Sequence, residues 1–229
     1  APFNDIDATC SIIEQHREEL AGVIVEPVQR VIPPKPGFLQ GLREVTRLHH
    51  VPLIFDEIVT GFRLSYGGAQ EYYGVTPDLC TLGKTMAGGF PLAAIAGREE
   101  IMDHFDPSKV EKEDYILQIG TLNGNPIAAT AGLATLAELR TPGTYQRLRD
   151  TGRRLRTALQ EALDQVEIPA RVLGDDTVFD VYFTRQGQEP ITDYRGTLQA
   201  DTALYKRFSA ALLDNGLLKG PSKFYLSLA

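Results

Sequence analysis

The stretch Val51-Pro-Leu-Ile-Phe-Asp56-Glu57 decides the fold class, because an apolar run of strand length ends abruptly in two acids. A second apolar run, in Pro77-Asp78-Leu-Cys-Thr-Leu-Gly83-Lys84, ends in a lysine and is followed by two further glycines. Burying an isolated charge is expensive, so a buried strand that ends in a charged group usually delivers that group to a site. A lysine beside glycines that let a ligand approach is a candidate for covalent chemistry. Together the two runs predict a lysine that forms an imine and an aspartate that holds a cation.

The residues before this stretch predict a parallel α/β unit. The run Ala21-Gly-Val-Ile-Val-Glu26 is β-branched and ends in an acid, which is typical of a buried strand. Pro36-Gly37 then opens a segment with apolar residues at helical spacing as far as Leu48. Strand, helix and strand at this spacing form a βαβ unit, in which ligands bind at the carboxyl ends of the strands. Glu26 and Asp56 both fall at such ends.

The rest of the sequence continues this pattern and then changes after Thr141-Pro-Gly143, which is the best internal boundary. Before the boundary we expect a helix over residues 69–73, strands over 79–82 and 92–96, a loop over 106–114 and a helix from Pro126 to Arg140. After it we expect an amphipathic helix over residues 145–166, strands over 171–173 and 178–183, and a helix over 201–214.

Composition and charge exclude several classes of function. The 229 residues are 43% hydrophobic and 23% charged, and the net charge of −7 favours neither nucleic acid nor an anionic membrane surface. No apolar run approaches the roughly 20 residues that a membrane span needs. Cys10 and Cys80 are far apart and lack metal-ligand spacing, which argues against a disulfide-rich protein or a zinc site. We therefore expect no metal, and a cytoplasmic protein.

The residues alone leave alternatives open. Gly83-Lys84-Thr85 suggests a nucleotide-binding loop, but the glycine required five residues before Gly83 is Asp78. Taken singly, Lys84 is compatible with an ordinary surface lysine. Asp56 and Glu57 are compatible with a strand-end cap or, with Thr60, with magnesium ligands. It is the combination of lysine and aspartate that favours a covalent site.

Several motifs occur in a fixed order along the first two thirds of the chain. They are Val23-Ile-Val-Glu26-Pro-Val, Asp56-Glu-Ile-Val-Thr-Gly-Phe-Arg63, Gly74-Val-Thr-Pro-Asp-Leu79, Leu82-Gly-Lys84 and Gly120-Thr-Leu-Asn-Gly-Asn-Pro126. With these motifs the chain resembles the class III (fold-type I) pyridoxal-phosphate aminotransferases, and within them the glutamate-1-semialdehyde 2,1-aminomutase branch. The resemblance extends to about residue 153.

The resemblance implies an α/β fold of the PLP-dependent transferase type. Residues 1–142 would form the later part of the large coenzyme domain, and residues 143–229 a small α+β C-terminal domain. The family's phosphate-binding loop would precede residue 1, and the apolar run over residues 224–229 would be the middle of an element. We therefore expect a fragment of a longer protein, which alone binds the coenzyme poorly.

The resemblance also implies roles for five residues. Lys84 would hold pyridoxal 5'-phosphate as an imine and then act as general base and acid, while Asp56 would bond the protonated ring nitrogen. Ile58 would pack on the ring face, although its spacing fits ordinary core equally well. Thr121 would reach the coenzyme phosphate of the neighbouring subunit in a homodimer; without the family it reads as a loop or helix-capping hydroxyl. Glu26 would lie near the coenzyme or order its loop.

The implied activity is transfer of an amino group in a ping-pong cycle of pyridoxal and pyridoxamine forms, on a small amino-acid or amino-aldehyde substrate. An aminomutase, which moves the amino group within one molecule, is the alternative. A second alternative is a domain of a larger synthetase or a non-catalytic module that kept the fold.

Overall fold

The computed structural model describes residues 1–185, 187, 190–220 and 222–227. The helices are α1 (Ile6–His16), α2 (Phe38–Leu48), α3 (Gly68–Tyr73), α4 (Glu99–Met102), α5 (Pro126–Leu139), α6 (Thr144–Gln165), α7 (Tyr194–Thr197) and α8 (Thr202–Asp214). The strands are β1 (Val23–Val25), β2 (Leu53–Glu57), β3 (Leu79–Leu82), β4 (Ala94–Gly97), β5 (Ala170–Asp175), β6 (Val178–Phe183) and β7 (Phe224–Tyr225). Two 3-10 helices cover Lys84–Ala87 and Asp103–Phe105.

The first sheet has the strand order β1-β2-β3-β4, in which the first three strands are parallel and β4 is antiparallel to β3. Helix α2 connects β1 to β2, so the predicted parallel βαβ unit is confirmed. Strand β2 begins two residues later than predicted and continues through Asp56 and Glu57. The two acids are therefore paired strand residues and not the start of a loop.

Burial along α2 and β2 follows the two periodicities that the sequence contains. Phe38, Leu39, Leu42 and Val45 of α2 are buried at helical spacing, because side chains three and four residues apart share a helix face. In β2 the burial alternates, and Leu53, Phe55 and Glu57 are fully enclosed. The alternation turns Asp56 to the opposite face of the sheet from Glu57.

The second sheet is antiparallel, with the order β5-β6-β7. Leu163 of α6 joins Ala170, Val181 and Phe183 in its core, and half-buried apolar side chains of α8 pack against this cluster. Asp180 is buried in β6 and accepts hydrogen bonds from the Tyr205 hydroxyl at 2.8 Å and from the Lys223 backbone N–H at 3.0 Å. The pKa of Tyr205 is raised, mainly by burial and secondly by this hydrogen bond to the Asp180 carboxylate.

Packing divides the chain into two compact units. The first contains Ala1–Ile6, Val28–Phe38 and Pro142–Ala229, and the second contains Asp7–Pro27 and Leu39–Thr141. The predicted division into domains at residues 142 and 143 stays a prediction. Within the described residues, no helix is both long and apolar enough to cross a membrane. Leu228 and Ala229 of the predicted terminal apolar run lie outside the described residues.

Glu57 is a fully buried carboxylate that joins β2 to the start of α3. Its Oε2 atom accepts hydrogen bonds from the Thr60 hydroxyl at 2.9 Å and from the Ala69 backbone N–H at 2.5 Å. Its Oε1 atom accepts a hydrogen bond from Gln70 Nε2 at 2.9 Å. Gly68 has a φ of 68°, and a Cβ there would lie 2.4 Å from Glu57 Oε2, so only glycine lets the chain pass this close.

Asp78 lies at the amino-terminal ends of β2 and β3, whereas Glu57 lies at the carboxyl end of β2. Its Oδ2 atom accepts hydrogen bonds from the Leu53 backbone N–H and from Arg43 Nη1, both at 2.8 Å, and its Oδ1 atom accepts one from Arg98 Nη1 at 3.2 Å. Burial alone would raise the pKa of this carboxyl, but the hydrogen bonds from Leu53, Arg43 and Arg98 outweigh burial and lower it.

Replacing Glu57 with alanine should lower the free energy of unfolding by about 3 kcal/mol, because the Thr60, Ala69 and Gln70 donors lose their buried acceptor. Glu44 of α2 is exposed, so Glu44→Ala is the matched control and should change it by less than about 0.5 kcal/mol. Urea unfolding of the two variants measures both values. Equal effects would show that the buried network does not stabilise the fold.

Replacing Asp78 with asparagine should remove a pH-dependent part of the stability. The pKa of Asp78 is lower in the folded protein than its unfolded value of about 3.9, so its contribution is complete above that pH and is lost as the pH falls towards the folded pKa. The stability difference between wild type and Asp78→Asn should thus be constant from about pH 5 to 7 and shrink below about pH 4. Urea unfolding at stepped pH tests this, with the exposed Asp114→Asn as control; a difference that grows on acidification would refute it.

Candidate active site

Three of the predicted site residues lie at one edge of the first sheet. Glu26 is half-buried and directly follows β1, Asp56 is the penultimate residue of β2, and Lys84 begins the 3-10 turn that follows β3 after Gly83. Because β1, β2 and β3 are parallel neighbours, their carboxyl ends share an edge. The sheet topology therefore brings a carboxylate and an amine from different parts of the sequence to the same edge of the sheet.

The carboxylate of Asp56 has one anchored oxygen and one free oxygen. Its Oδ1 atom accepts hydrogen bonds from the Ile58 backbone N–H at 3.1 Å and from the Thr81 hydroxyl at 3.2 Å. Thr81 is the register partner of Asp56 in the neighbouring strand. The other carboxylate oxygen of Asp56, Oδ2, accepts no hydrogen bond from any described residue. This arrangement fixes the plane of the carboxylate and leaves an acceptor for a ligand N–H.

The neighbouring carboxylate cannot serve a ligand in the same way. Among the described residues, the side-chain carboxylate of Glu57 accepts its hydrogen bonds from Thr60, Ala69 and Gln70, all inside the fold. The described residues contain no group of three or more His, Cys, Asp or Glu side chains that could hold a metal ion. The strand-end cap considered for the acid pair therefore fits Glu57. Of the two acids, Glu57 has a structural role and Asp56 keeps an oxygen available for a ligand.

Lys84 occupies a strained and accessible position. Its φ is 46°, in the left-handed region that a non-glycine residue occupies at a cost of about 1 kcal/mol or more. The side chain is exposed and has no hydrogen-bond or ion-pair partner among the described residues. Met86 and Ala87 of the same turn are buried, which holds the turn in place while Lys84 projects outward.

Helix α5 packs closely against the turn that begins with Lys84. A Cβ on Gly88, at the end of the turn, would lie 2.5 Å from Thr135 Oγ1 of α5. A Cβ on Gly132 of α5 would lie 3.4 Å from the Met86 carbonyl oxygen and 3.0 Å from Leu92 Cδ2. These glycines permit the close approach of turn and helix. In the same turn, Thr85 Oγ1 accepts a hydrogen bond from Arg63 Nη2 at 2.8 Å.

A cleft of about 790 Å³ opens beside Ile58 and Thr81, the two residues that donate hydrogen bonds to Asp56 Oδ1; Asp56 and Lys84 are not among its lining residues. Ile58 and Thr81 line it, together with Leu82, Pro91, Leu92, Ala93, Ala94, Ile95, Gln118, Leu122, Asn123 and Gly124. A Cβ on Gly83 would lie 3.1 Å from Ile58 Cδ1, so Gly83 leaves the space that Ile58 occupies. Ile58 is half-buried and lines this cleft, so it offers an apolar side chain to a ligand there.

Thr121 begins the turn that borders this cleft. Its side chain is exposed and its hydroxyl has no partner among the described residues. The helix-capping alternative for Thr121 is wrong, because Asn125 caps α5 by accepting hydrogen bonds from the N–H groups of Ile127 at 2.9 Å and Ala128 at 3.3 Å. Thr121 is therefore a loop hydroxyl that is free to bind a ligand.

Sequence reasoning missed two polar contacts of this region, Thr81 to Asp56 and Arg63 to Thr85. The first depends on the register between β2 and β3, and the second on a loop and a turn that the sheet brings together. Local sequence patterns predict neither contact. The one available signal is the hydroxyl of Thr81, which lies three residues before Lys84.

Comparison with known proteins supplies an independent view of the chain. The sequence model of the family described as aminotransferase class-III matches residues 4–224. A curated relative, the glutamate-1-semialdehyde 2,1-aminomutase of Methanococcus maripaludis, is 43% identical over 226 residues, which are 97% of this chain and 51% of that protein.

Two solved structures have the same fold. An omega-transaminase from Sphaerobacter thermophilus superposes with a TM-score of 0.89 at 40% identity, over 99% of this chain and 51% of that one. A glutamate-1-semialdehyde aminomutase from Pseudomonas aeruginosa PAO1, solved in complex with PMP, superposes with a TM-score of 0.82 at 26% identity, over 98% of this chain and 51% of that one. The chain thus spans about half the length of the relatives it matches.

Proposed function

The chain belongs to the class-III aminotransferase family, and from this premise we propose that the whole protein transfers amino groups with pyridoxal 5'-phosphate. The observation that carries the proposal is the edge where Asp56 offers a free carboxylate oxygen and Lys84 an unpartnered amine. Their chemistry fits this coenzyme, since an amine suits its aldehyde and a carboxylate suits its protonated ring nitrogen. The aminomutase solved with PMP supports the same choice.

When bound, the coenzyme supplies an electron sink for the negative charge that develops at the substrate α-carbon. Asp56 keeps that sink effective: its free oxygen, Oδ2, accepts the ring N–H, and a charge-assisted bond of this kind favours the protonated ring. The Ile58 N–H and the Thr81 hydroxyl hold the other oxygen, so the carboxylate is oriented before the ligand arrives. Ile58 contacts the ring face from the wall of the cleft.

Lys84 has two roles in this proposal. Its Nζ atom would hold the coenzyme covalently through the aldehyde carbon, with release of water, and when freed by the substrate amine it would serve as general base and acid at the substrate α-carbon. Both roles need a primary amine that no other side chain occupies, and Lys84 has no partner among the described residues. Glu26, at the end of β1, orders the loop beside the coenzyme.

We further propose a homodimer in which Thr121 binds the coenzyme phosphate of the neighbouring subunit. The segment around Thr121 supports an interface, because its apolar side chains are each more than half exposed: Ile116, Leu117, Ile119, Leu122 and Ile127. So many neighbouring exposed apolar side chains are uncommon on a monomer surface and typical of a contact surface. The loop hydroxyl of Thr121 lies within this segment and has no partner among the described residues.

The substrate is a small amino acid or an amino aldehyde or ketone. Transfer of the amino group between two molecules is the main hypothesis, and transfer within one molecule, as in the aminomutases, is the alternative. Relatives of both kinds match the chain. Lys84 and Asp56 serve either reaction. A requirement for a separate acceptor such as 2-oxoglutarate distinguishes them, since an aminomutase turns over without one.

A non-catalytic module that kept the fold is the alternative from another functional class, and the presence of both Lys84 and Asp56 argues against it. An embedded domain of a larger synthetase would use the same two residues in the same roles. We also propose a cytoplasmic location, which the two unpaired cysteines support.

Lys84 should be the residue that binds the coenzyme. Borohydride reduction of the full-length protein with pyridoxal phosphate should add the coenzyme mass to the peptide that contains Lys84, and Lys84→Ala should abolish both this adduct and turnover. Lys112→Ala, which removes an exposed lysine of the loop before α5, should change neither. Peptide mass spectrometry and an amino-transfer assay measure the two effects. An adduct on another lysine would exclude Lys84 from this role.

Asp56→Asn separates the covalent role from the electronic one. This variant should still form the Lys84 adduct, while its turnover falls by about a hundredfold or more because the ring is no longer held protonated. Near-normal turnover of Asp56→Asn would contradict the role of the carboxylate without affecting the role of Lys84.

Mixing two inactive variants tests the shared site. In a hybrid dimer of Lys84→Ala and Thr121→Ala subunits, one site combines the intact Lys84 with the intact Thr121 of the other subunit. Equal mixing should restore about one quarter of wild-type activity, since half of the dimers of a two-fold assembly are hybrids with one working site. Coexpression with two affinity tags measures this. If Thr121 serves its own subunit, the hybrid gains no complete site and activity stays at the level of the separate variants.

A further inference from the structure

Arg63 connects two segments that the proposed chemistry uses separately. Its Nη2 atom donates a hydrogen bond to Thr85 Oγ1 at 2.8 Å, and its Nε atom donates one to the Val59 carbonyl oxygen at 2.9 Å. Thr85 is the residue after Lys84, and Val59 lies in the loop that follows β2. The side chain of Arg63 therefore bridges the loop after Asp56 and the turn that begins with Lys84.

The loop end of this bridge is firmly fixed. Within the loop, the Gly61 N–H donates to the Glu57 carbonyl oxygen at 2.8 Å, the Thr60 hydroxyl donates to the buried Glu57 carboxylate, and the Arg63 N–H donates to the Thr60 carbonyl oxygen at 3.1 Å. Since Glu57 is fully enclosed, the loop moves only if the end of β2 moves. Arg63 thus starts from a rigid point beside Asp56.

The turn end needs such support. Lys84 has a left-handed backbone, which persists only when the surroundings over-determine it. Inside the turn, backbone bonds from Met86 N–H to the Gly83 oxygen at 3.2 Å and from Gly88 N–H to the Thr85 oxygen at 3.3 Å are long. In the described part of the chain, the bond from Arg63 is the one side-chain hydrogen bond that residues 84–87 make.

We infer that Arg63 and Thr85 are positioning residues, whose hydrogen bond holds the turn that presents the Lys84 amine to a ligand anchored by Asp56. The inference rests on the proposed function. Neither residue touches the reacting atoms; their effect passes through the backbone conformation of Lys84. Loss of the bond should thus slow the steps that use the Lys84 amine and leave recognition of the amino substrate unchanged.

Variants of the full-length protein test this inference. Thr85→Val removes the hydroxyl at constant shape, Thr85→Ser keeps it, and Arg63→Gln removes the donor fork. Thr130→Val is the matched control, because it removes a hydroxyl on α5 whose one hydrogen bond among the described residues goes to the Pro126 carbonyl oxygen of the same helix. The first readout is the rate at which apoprotein mixed with pyridoxal phosphate acquires a borohydride-fixed adduct on Lys84. The second is kcat and KM for the amino donor.

Thr85→Val and Arg63→Gln should each slow adduct formation and lower kcat by about tenfold, as expected for one lost hydrogen bond to a charged donor, with KM unchanged. The double variant should be no slower than Arg63→Gln alone, because Thr85→Val removes only a bond that Arg63→Gln has already removed. Thr85→Ser should restore both rates, and Thr130→Val should match wild type. A thermal melt of each apoprotein verifies folding; if Thr85→Val does not fold, the rates of Arg63→Gln decide.

Two kinds of failure are distinguishable. Adduct formation and kcat at wild-type values in Thr85→Val or Arg63→Gln, or losses that multiply in the double variant, would overturn the positioning role alone. A wild-type protein that forms no adduct on Lys84 would overturn the proposed function itself, before any variant is compared.

Discussion

Glu57 is enclosed within β2, and its two carboxylate oxygens accept hydrogen bonds from Thr60, Ala69 and Gln70. This network fixes the end of the strand, because an ionised group removed from water is tolerated only where donors replace its hydration. Strand geometry does the rest: with Glu57 turned inward, the preceding residue must face the other side of the sheet. The orientation of Asp56 away from the face that encloses Glu57 is thus a consequence of the burial of its neighbour.

The two chemically available groups are restrained to different degrees. Asp56 sits in a regular strand with one oxygen bonded across to Thr81, so its position follows from the sheet itself. Lys84 follows β3 in a turn with a strained backbone, which the sheet does not determine. Close packing of Gly88 and Gly132 supports the turn from α5, and the hydrogen bond from Arg63 to Thr85 supports it as well. A rigid acid and a separately supported amine suit a site in which one group only holds a ligand while the other must react and move.

Much of the fold could be predicted from the sequence, and the failures have physical causes. The bounds predicted for β3 and β6 match the structure, because both are short apolar runs flanked by polar residues or glycine. Helix α1 was missed, since only Thr9 and Ile13 are buried and its apolar stripe is too sparse to be seen. The role of Glu57 could not be predicted, because its donors come from a loop and a helix whose approach depends on the fold. Register and loop packing likewise hid the partners of Asp56 and Thr85.

The lining of the cleft beside Ile58 and Thr81 limits which groups of a ligand this cleft can bind. Its lining side chains are apolar, hydroxyl or amide groups, and none of those described is charged. Such a wall can hold a flat ring by contact and by a few polar bonds, but it offers no cation for a substrate carboxylate. Asp56 and Lys84 are committed to the ring and to the proton in the proposed mechanism. In the proposed mechanism, recognition of the substrate's charged groups would come from residues other than the described side chains that line this cleft. The same edge of the sheet can thus serve transaminases and aminomutases alike, because the groups that perform the chemistry are separate from those that select the substrate.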